Sequence, residues 1–575
     1  MAGLTLARQL RRELPALRVT LIERTRRPLP LACHKVGESS VELGSQYLER
    51  LGLREYLERE HLIKFGLRFF PGGGHLPIAQ RSEIGPAQEP VVRSYQIDRG
   101  RFEDDLRGMV EQDGVTLYEG AIVREVEIGA EGQGHEVTFE RDGERVTLRA
   151  RWVVDATGRN AFLKRRLRLG RGTRHACNAG WFRVEGRVEL AEIVPEGDPW
   201  HDASFAAERW RSTNHLMGTG YWVWLIPLSS GRTSVGIVTH DDVHDFDRVR
   251  TLDRCLEFLR THEPLLAKRL ESAEVLDFRC LKDYSHGVAR AWSPQRWALV
   301  GEAGAFVDPL YSPGTDFIAY ANSFTTELIR IDDEGRDDFE QRVRELNVQY
   351  RALVEGSVSL FRGAAAVYGH SRAMAAKVYW DNFVYWAYAC QYYLQGMYRQ
   401  TGSLYDQINV VGGRYVELSS YMQALFRAWA DILPETAPHA GFVSLPVFPS
   451  LPVDAHLDLQ KQLSPEETLA LMRERLEQAE EMAAEIVVRL LVQHGPELGA
   501  KLLEHAGASR WSLDFDPSRW AAEPSTGLQR RRALSIVARD VERNLGRVER
   551  HPEWERALEL LRPKVAAPSR QAVMP

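Results

Sequence analysis

The sequence has few cysteines, no excess of one charge and no apolar run long enough to cross a bilayer. Its five cysteines are scattered through 575 residues and form no C-x-x-C pair. We therefore expect neither a disulfide framework nor a zinc site, and we expect a reducing cytoplasm as the location. Lys and Arg total 74 against 80 for Asp and Glu, a balance that gives no general electrostatic reason to bind nucleic acid. The lack of a long apolar run and of a secretion signal predicts a protein that neither spans a membrane nor enters the secretory route.

The composition is that of a soluble globular protein. Hydrophobic residues make up 44% of the chain and charged residues 27%, which excludes a largely disordered or fibrous chain. A chain of 575 residues is too long for one hydrophobic core, so we expect roughly two to four packed units.

The first residues are typical of the second half of a dinucleotide-binding unit. Leucines recur at helical spacing over residues 6–14, and residues 17–22 form a predicted strand that ends at Glu23. A complete unit begins with a strand and G-x-G-x-x-G, whose third glycine lets the helix pack closely on the sheet. Gly3 takes that third place, and Glu23, 20 residues later, is placed to bind a ribose. We therefore expect a chain truncated by roughly a dozen residues; a helix and a strand that meet by chance are the alternative.

Four further blocks follow the first unit. They are a G-E-S block at 36–39, an R-x-x-F-E-x-x-L helix at 99–106, and two strands that run into small-residue turns at 153–158 and 298–305. Such turns admit phosphate or ribityl oxygens. In this order, the blocks resemble the FAD-binding framework of the flavoprotein aromatic monooxygenase superfamily. The resemblance implies an FAD site formed by Gly3, Glu23, Glu38, Ser39, Arg99, Asp155, Gly158, Gly301, Glu302 and Pro309.

One position departs from that framework. The superfamily usually has Gly-Asp where this chain has Gly301-Glu302. The extra methylene of Glu302 shifts the carboxylate that meets the ribityl chain of the flavin, so we expect weaker FAD binding.

Two more motifs narrow the chemistry. Trp222 and Trp224 belong to a W-x-W-x-I-P block on a predicted strand, which a turn at 229–232 connects to a second strand. Residues 306–314 match F-x-x-P-x-x-S-x-G. Both motifs are signatures of the flavin-dependent halogenases, and the chain resembles that family. Two tryptophans on one buried strand face are the structural alternative.

The resemblance implies a two-component mechanism. A separate flavin reductase supplies FADH2, O2 gives a flavin hydroperoxide, and a bound chloride or bromide attacks it to form hypohalous acid. The acid moves through a tunnel to a separate pocket, where a lysine positions or traps it. The tryptophan block keeps the substrate from reaching the flavin.

Lys64 is the candidate for that lysine, because residues 64–69 fit the family's K-x-G-I-x-F context with Leu67 in place of Ile. Lysine suits this role because its ammonium group donates hydrogen bonds and its pKa falls readily on burial. A surface lysine at the start of a strand is the alternative, and Lys35 is a second candidate.

The resemblance also implies a halide site, formed near Ser312, Gly314 and Thr315 in the turn of the second motif. Successive backbone N–H groups in a turn form a concave anion site. Pro313 has no N–H group, so Gly314 and Thr315 carry most of the binding.

Position 311 bears on the substrate. Tryptophan halogenases have Glu just before the motif serine, and this chain has Tyr311. The resemblance therefore disfavours free tryptophan and favours an electron-rich phenol- or pyrrole-type ring, either free or attached to a carrier protein. An activated aliphatic carbon is a further alternative.

The predicted fold is α/β, with a Rossmann-like FAD-binding domain, an inserted mixed β-sheet domain on the substrate side and a C-terminal helical region. The FAD-binding domain is discontinuous, and the predicted boundaries are 1–75, 90–165 and 286–335 for this domain and 76–89 and 166–285 for the sheet domain. A helical aromatic-rich region (336–432), an irregular proline-rich connection (433–458) and a C-terminal helical region (459–575) follow.

Three smaller features complete the prediction. His240 and His244 are four residues apart, but they lack a convincing third ligand, so we expect a solvated loop there rather than a metal site. The crowded aromatic residues of 368–398 predict a buried helix with one face towards the substrate. Ser464 and Pro465 predict the start of a helix that runs to about residue 493.

Two other functions stay open. One is a flavin monooxygenase that oxidises its substrate without halide, and the intact tryptophan block argues against it. The other is a non-catalytic relative that binds an aromatic ligand or a partner, which the missing first strand and Glu302 favour. We find no separate NAD(P)H motif, in agreement with an external reductase.

Overall fold

The computed structural model describes residues 1–30, 37–130, 133–433, 441–444, 450–513 and 536–561. Lys35, the second lysine candidate, lies outside these ranges, as do Val36 of the G-E-S block and four prolines of the predicted connection, Pro434, Pro438, Pro446 and Pro449.

Strands dominate the first half of the chain and helices the second. The strands are β1 Thr20–Glu23, β2 Leu62–Ile63, β3 Leu67–Phe70, β4 Ser82–Gly85, β5 Tyr95–Gln96, β6 Thr116–Glu119, β7 Ala121–Glu127, β8 His135–Arg141, β9 Glu144–Ala150, β10 Val153–Asp155, β11 Gly170–Arg171, β12 Cys177–Val184, β13 Thr213–Gly218, β14 Tyr221–Pro227, β15 Thr233–His240, β16 Val275–Leu281, β17 Gly287–Val288, β18 Trp292–Ser293, β19 Trp297–Leu299 and β20 Gly441–Ser444. The helices are α1 Ala2–Glu13, α2 Glu42–Leu48, α3 Arg54–Glu60, α4 Arg99–Gln112, α5 Phe162–Arg166, α6 Leu252–His262, α7 Pro264–Leu270, α8 Gly314–Asp333, α9 Phe339–Ser359, α10 Ala365–Tyr368, α11 Ser371–Val384, α12 Gln391–Leu394, α13 Gly402–Ile432, α14 Leu451–Leu457, α15 Pro465–His505, α16 Ile536–Leu545 and α17 Trp554–Leu558.

Two small, mainly parallel sheets form the dinucleotide-binding part. β1 pairs in parallel with β6, and β10 pairs in parallel with β19, which also pairs with β18. Helix α1 packs closely on this part, since a Cβ atom on Gly3 would lie 3.0 Å from the Cβ atom of Ala156. In the described part of the chain, β1 and β10 do not pair with each other, and Leu6, Val19 and Val154 line the same cavity.

An eight-stranded mixed sheet stands beside this part, with the strand order β16-β12-β15-β14-β13-β3-β4-β20. The predicted W-x-W strand and its return strand are β14 and β15, which pair antiparallel from Tyr221 to Pro227. Two predicted boundaries are wrong. Strand β3, assigned to segment 1–75, belongs to this sheet, and so does β20, which lies in the connection expected to be irregular.

The sequence correctly predicts helices in the second half of the chain, but it does not predict where these helices are interrupted. The aromatic segment is buried as expected, but a π-helical turn, Tyr385–Cys390, separates α11 from α12. Helix α15 begins at Pro465 behind a capping box between Ser464 and Glu467, as predicted. It bends at Gly495, where φ is 75°, and then continues to His505 rather than ending near residue 493. None of the described helices is both long and apolar enough to span a bilayer.

The prediction of a solvated loop at His240 is wrong. His240 is the last residue of β15 and is 3% exposed, because the strand continues beyond the predicted return segment. His244 lies after the strand, is partly exposed, and its Nε2 atom is 3.2 Å from the carbonyl oxygen of Thr219.

Candidate active site

A long cleft of about 1450 Å³ runs along the edge of the two small sheets. The ten residues predicted for FAD all line it, as do Trp222, Trp224 and the three predicted halide residues. Residues from six separate segments of the sequence therefore meet in one cavity. We call this cavity the long cleft.

Backbone turns without side chains form part of the long cleft. Gly158 and Gly301 have φ angles of 60° and 57°, in the left-handed region that favours glycine. A Cβ atom on Gly301 would lie 2.8 Å from the Cβ atom of Ala2. Both turns follow the ends of parallel strands, β10 and β19, where dinucleotides bind in folds of this type. The volume and these bare turns fit a dinucleotide such as FAD.

The carboxylates of the long cleft have different surroundings. Glu23 lies at the end of β1 and accepts hydrogen bonds from the backbone N–H and the hydroxyl of Thr25. Asp155 accepts from the N–H groups of Thr157 and Leu163, and so holds the turn after β10. Glu38 is buried and forms an ion pair of 2.7 Å with Arg183. Burial raises the pKa of Glu38 despite that arginine.

The predicted halide turn leads into the N-terminus of α8. Ser312 has a φ of 57°, an uncommon value for a residue with a side chain. Pro313 precedes the first helical residue, Gly314. The N–H groups of Gly314 and Thr315 are in the first turn, where helical N–H groups lack intrahelical partners and the helix dipole favours an anion.

A second cavity, of about 570 Å³, lies beside the first. Aromatic rings form much of its wall: Phe69, Tyr311, Phe361, Tyr385, Trp386 and Tyr388. We call it the aromatic pocket. Several of these rings come from the predicted aromatic segment, so that segment is buried and also lines a pocket, as expected.

Lys64 lies at one end of the aromatic pocket and is 1% exposed. The alternative of a surface lysine is therefore wrong. Burial lowers the pKa of Lys64 to about 7, although Glu42 and Asp316 act in the opposite direction. The Nζ atom donates hydrogen bonds to the Ser39 hydroxyl (2.9 Å) and to the carbonyl oxygen of Ser40 (2.8 Å).

A chain of hydrogen bonds joins the two cavities. Ser312 of the halide turn donates from its hydroxyl to the Ser39 hydroxyl at 3.0 Å, and Ser39 accepts from Lys64. Ser312 and Ser39 line the long cleft, whereas Lys64 lines the aromatic pocket. The predicted lysine and the predicted halide turn are thus two hydrogen bonds apart.

Aromatic rings separate the cavities elsewhere. Trp222 faces the long cleft, and its ring centroid is 5.5 Å from that of His215. His215 stacks on Phe69 at 4.7 Å, and Phe69 meets Tyr311 edge-on at 5.8 Å. Phe69 and Tyr311 face the aromatic pocket. These four rings form a continuous layer, which we call the aromatic wall.

Trp224 stands beside Trp222 at 5.7 Å, and its indole N–H donates to the Ser234 hydroxyl at 3.2 Å. Its ring lies over Gly236, which is opposite it in the β14–β15 pairing. A Cβ atom on Gly236 would lie 2.1 Å from the Trp224 ring, so this strand position requires glycine.

Sequence reasoning missed Asp316, a buried carboxylate that lines the aromatic pocket. It accepts hydrogen bonds from the N–H group of Gly44 and from the Tyr385 hydroxyl, both at 2.8 Å. A Cβ atom on Gly44 would lie 2.9 Å from Asp316 Oδ1, so glycine permits this approach. Burial raises the pKa of Asp316 to about 7. An acidic residue in the first turn of a helix is common for dipole reasons alone, so its sequence position carries no signal of this role.

Tyr311 also has a partner that the sequence does not reveal. Its hydroxyl donates to Asp381 Oδ2 at 2.8 Å, and Lys377 donates to the same oxygen at 2.7 Å. Position 311, where tryptophan halogenases have Glu, is thus held as a neutral ring against the wall of the pocket.

Comparison with known proteins finds similarity to halogenases. The tryptophan halogenase family model matches residues 77–360. Flavin-dependent halogenase chlA of Dictyostelium discoideum is 28% identical over 433 residues, 68% of this chain and 70% of that protein. The 1H-pyrrole-2-carbonyl-(peptidyl-carrier protein) chlorinase of Pseudomonas fluorescens is 28% identical over 300 residues, 48% of this chain and 64% of that protein. The chain thus spans about two thirds of the length of these curated relatives.

The fold agrees with solved structures of the same class. The crystal structure of halogenase PltM in complex with phloroglucinol and FAD has a TM-score of 0.56 to this chain at 14% identity, and the match covers 84% of this chain and 93% of that one. The family match and the relatives together support a flavin-dependent halogenase, and the solved structure shows the shared fold.

Proposed function

We propose that this chain halogenates an electron-rich aromatic ring, using chloride or bromide, O2 and FADH2 from a separate flavin reductase. The observation that carries the proposal is the hydrogen-bond chain Ser312–Ser39–Lys64. It connects an anion-binding helix N-terminus in one cavity with a buried lysine in the other. A hydroxylase that acts directly on its substrate has no need of two cavities with a relay between them.

The long cleft supplies the residues that hold FAD. Gly158 and Gly301 let the backbone approach the cofactor, and Gly3 lets helix α1 pack closely beside Ala156. Glu23 at the end of β1 takes the place of the ribose ligand. Arg99 and Glu302 bring charge to the same cleft. When bound, reduced FAD with O2 supplies the oxidising power that turns halide into hypohalous acid.

The halide is held at the N-terminus of α8. The N–H groups of Gly314 and Thr315 and the positive end of the helix dipole stabilise an anion there. Ser312 sits at the same turn, and its hydroxyl points to Ser39. The halogen species formed at this turn passes Ser312 and Ser39, whose hydroxyl groups can hydrogen-bond to it, before it reaches Lys64.

Lys64 holds the halogen species for the substrate. Its ammonium group donates hydrogen bonds to hypohalous acid. Its free amine can instead attack the halogen, in which case a nitrogen–halogen bond forms, the halogen–oxygen bond breaks, and hydroxide leaves with one amine proton as water. A pKa of about 7, set by burial, keeps both forms populated near neutral pH. An exposed lysine would be almost fully protonated at that pH.

Asp316 accepts the proton that the ring loses. Electrophilic substitution forms a carbon–halogen bond and breaks a carbon–hydrogen bond, so a base is needed near the reacting carbon. Asp316 lines the same pocket end as Lys64, and the electrostatic effect of each on the other's pKa reflects their proximity. A carboxylate with a pKa near neutrality suits general base catalysis.

The substrate is a phenol- or pyrrole-type ring. The rings of the aromatic pocket fit a flat apolar substrate, and Tyr311 leaves position 311 without the carboxylate of tryptophan halogenases. The pocket extends from Lys64 to Val348 and Val416, apolar side chains that are 51% and 41% exposed. This apolar mouth, and the carrier-bound pyrrole in the name of one relative, support a carrier-bound substrate as the second form to test.

The test is a halogenation assay with a flavin reductase, NADH, FAD and bromide. Phenols, pyrroles, indoles and a pyrrole-2-carbonyl carrier protein are screened by mass spectrometry for the isotope doublet of bromine. A doublet that needs bromide and O2 supports the proposal. An oxygenated product without a doublet contradicts it and supports the monooxygenase alternative. FAD binding without product from any of these substrates would instead support a non-catalytic relative.

A further inference from the structure

Behind the halide turn, the substrate-side sheet brings two histidines and a cysteine together. Cys177 is the first residue of β12 and His240 the last residue of β15, and the two are directly opposite in the antiparallel pairing. His175 comes from the loop just before β12. The three side chains are at most 3% exposed. One ligand atom from each lies within 4.8 Å of the other two.

One sulfur–nitrogen distance is close to that of a metal site with one thiolate. The Cys177 Sγ atom is 3.7 Å from His175 Nδ1, and it is 3.4 Å from His175 Nε2, the nitrogen next to Asp308. A tetrahedral zinc ion with ordinary Zn–N and Zn–S bonds separates such atoms by about 3.4–3.8 Å. The remaining separations are at most 4.8 Å, so they need to contract by up to about 1.4 Å on binding, which side-chain rotation can supply.

A carboxylate orients one of the histidines. His175 Nε2 is 2.8 Å from Asp308 Oδ2, which also accepts from the Tyr284 hydroxyl at 2.8 Å. A carboxylate on one ring nitrogen leaves the other nitrogen free to bind a metal. Histidine ligands in proteins usually have such a partner. Asp308 thus occupies the place of the supporting carboxylate in a carboxylate–histidine–zinc arrangement.

Two polar atoms at the cluster have no hydrogen-bond partner among the residues that the structure describes. His240 Nε2 is buried and has no hydrogen-bond partner among the described residues. The same holds, within the described part of the chain, for the hydroxyl of Tyr368, whose ring lies 5.2 Å from the His240 ring. Unpaired buried nitrogen and oxygen atoms cost free energy, and a metal ion with one water or the Tyr368 hydroxyl as fourth ligand would satisfy both.

We propose that His175, Cys177 and His240 bind one zinc ion. Two imidazoles and one thiolate are a donor set that zinc prefers, and the buried position gives a closed, structural site. Binding replaces the thiol proton of Cys177 by the metal. Cysteine spacing gave no sign of such a site, because the proposed ligands come from strands that pair in space and not from a local motif.

The site would fix the halide turn to the sheet. Asp308 belongs to the F-x-x-P-x-x-S-x-G motif, and its Oδ1 atom accepts from the N–H group of Leu310 at 2.9 Å. A zinc ion on His175 therefore holds Asp308, and through it the backbone that leads to Ser312. The ion has a positioning role, because neither it nor its ligands line the aromatic pocket.

The first test measures metal content by plasma mass spectrometry in the full chain, purified without added chelator. We expect one zinc per chain in the wild type and none in Cys177→Ser or His240→Ala. His244→Ala and Cys255→Ser are matched controls, because His244 is four residues from His240 and Cys255 is another buried thiol, and both should keep the zinc. Equal zinc in the wild type and Cys177→Ser would overturn the assignment.

The second test uses the wild-type chain alone, so it does not depend on a variant that folds. The protein is stripped with a chelator and loaded with Co²⁺. We expect visible bands of four-coordinate cobalt and a near-ultraviolet thiolate-to-cobalt band, and we expect Zn²⁺, but not Mg²⁺, to raise the unfolding temperature of the stripped protein. A spectrum without the thiolate band would contradict the site even if the halogenase activity is real.

Discussion

The long cleft and the aromatic pocket are lined by different kinds of residue. The long cleft is formed by glycine turns, carboxylates and Arg99 at the ends of parallel strands. The aromatic pocket is formed largely by rings, and the charged side chains among its lining residues are Lys64, Asp316, Glu42 and Asp381. The first suits a polar dinucleotide and the second a flat apolar ring. The aromatic wall and the Lys64–Ser39 hydrogen bond are where the two meet, so changes there test whether the cavities have separate tasks.

The largest expected effect follows from Lys64→Met. Methionine fills a similar volume without the ammonium group, so the fold and FAD binding should persist while the relay is lost. We expect halogenation to fall about 10³-fold or more, the scale for removal of a group that meets the reacting atoms. The measurement is brominated product per enzyme per minute, with FAD affinity from fluorescence titration of the same protein.

Lys164→Met is the matched control for that change. Lys164 is also a buried lysine whose pKa burial lowers, to about 8, but it is not among the residues that line either cavity. We expect it to keep most of the activity. If Lys64→Met retained activity at the level of Lys164→Met, the relay role would be wrong.

Asp316→Asn should lower the rate by about 10²-fold, within the range for loss of a general base. Only the carboxylate form accepts a proton, and the pKa of Asp316 is raised to about 7. The wild-type rate should therefore rise with pH on an acidic limb centred near 7. That limb should vanish in the variant. If the acidic limb were unchanged in Asp316→Asn, it would have to come from the titration of another group. Glu42 and Lys64 are the titratable neighbours to test next.

A third prediction concerns the effect of the burial of Lys64 on the free energy of unfolding. The pKa of Lys64 is about 7 in the folded chain, and the ordinary value of 10.5 applies in the unfolded chain. Between these two pH values, the unfolded chain therefore binds a proton that the folded chain lacks. The free energy of unfolding should then rise with pH across that window, by up to about 1.4 kcal/mol per unit of pKa shift. Denaturant titrations of the wild type and Lys64→Met at a series of pH values check it, since the rise due to Lys64 must be missing from the variant.

Trp222→Phe should make a gap in the aromatic wall at a cost of about 1–3 kcal/mol of stability. We expect the yield of halogenated product per FADH2 consumed to fall severalfold, with more oxygenated product or hydrogen peroxide. Trp297→Phe is the control, because Trp297 is equally buried but lies in β19, away from the wall. Equal yields in the two variants would remove the wall from the mechanism.

The sequence predicts those residues of the site whose position depends on neighbouring residues in the chain. Trp222 and Trp224 are in a strand because branched and aromatic residues alternate before a glycine turn, and Lys64 could be placed by the motif around it. Asp316 could not, because its role depends on Gly44 and Tyr385, residues about 270 and 70 positions away. The π-helical turn that carries Tyr385 has no recognised sequence signal.

The same limit explains the errors in the fold. Strand β3 joins the eight-stranded sheet through a parallel pairing with β13, more than 140 residues later, and β20 joins it through β4. Pairings of this separation leave only a short apolar run in the sequence, which periodicity cannot assign to a sheet. His240 shows the reverse case, in which polar neighbours suggested a loop although the strand continues.

The smallest expected effect lies in the long cleft, at Glu302, where relatives of this framework have Asp. Glu302→Asp shortens the side chain by one methylene and returns the carboxylate to the position that meets the ribityl chain. One improved hydrogen bond contributes about 0.5–1.5 kcal/mol, so FAD should bind about 2- to 12-fold more tightly. Glu302→Gln keeps the length and removes the charge, and it should bind FAD no better than the wild type. Because Glu302 lines the long cleft and not the aromatic pocket, the turnover of enzyme saturated with FAD should be the same in both variants. A change in substrate preference would mean that the two cavities are coupled more closely than the aromatic wall allows.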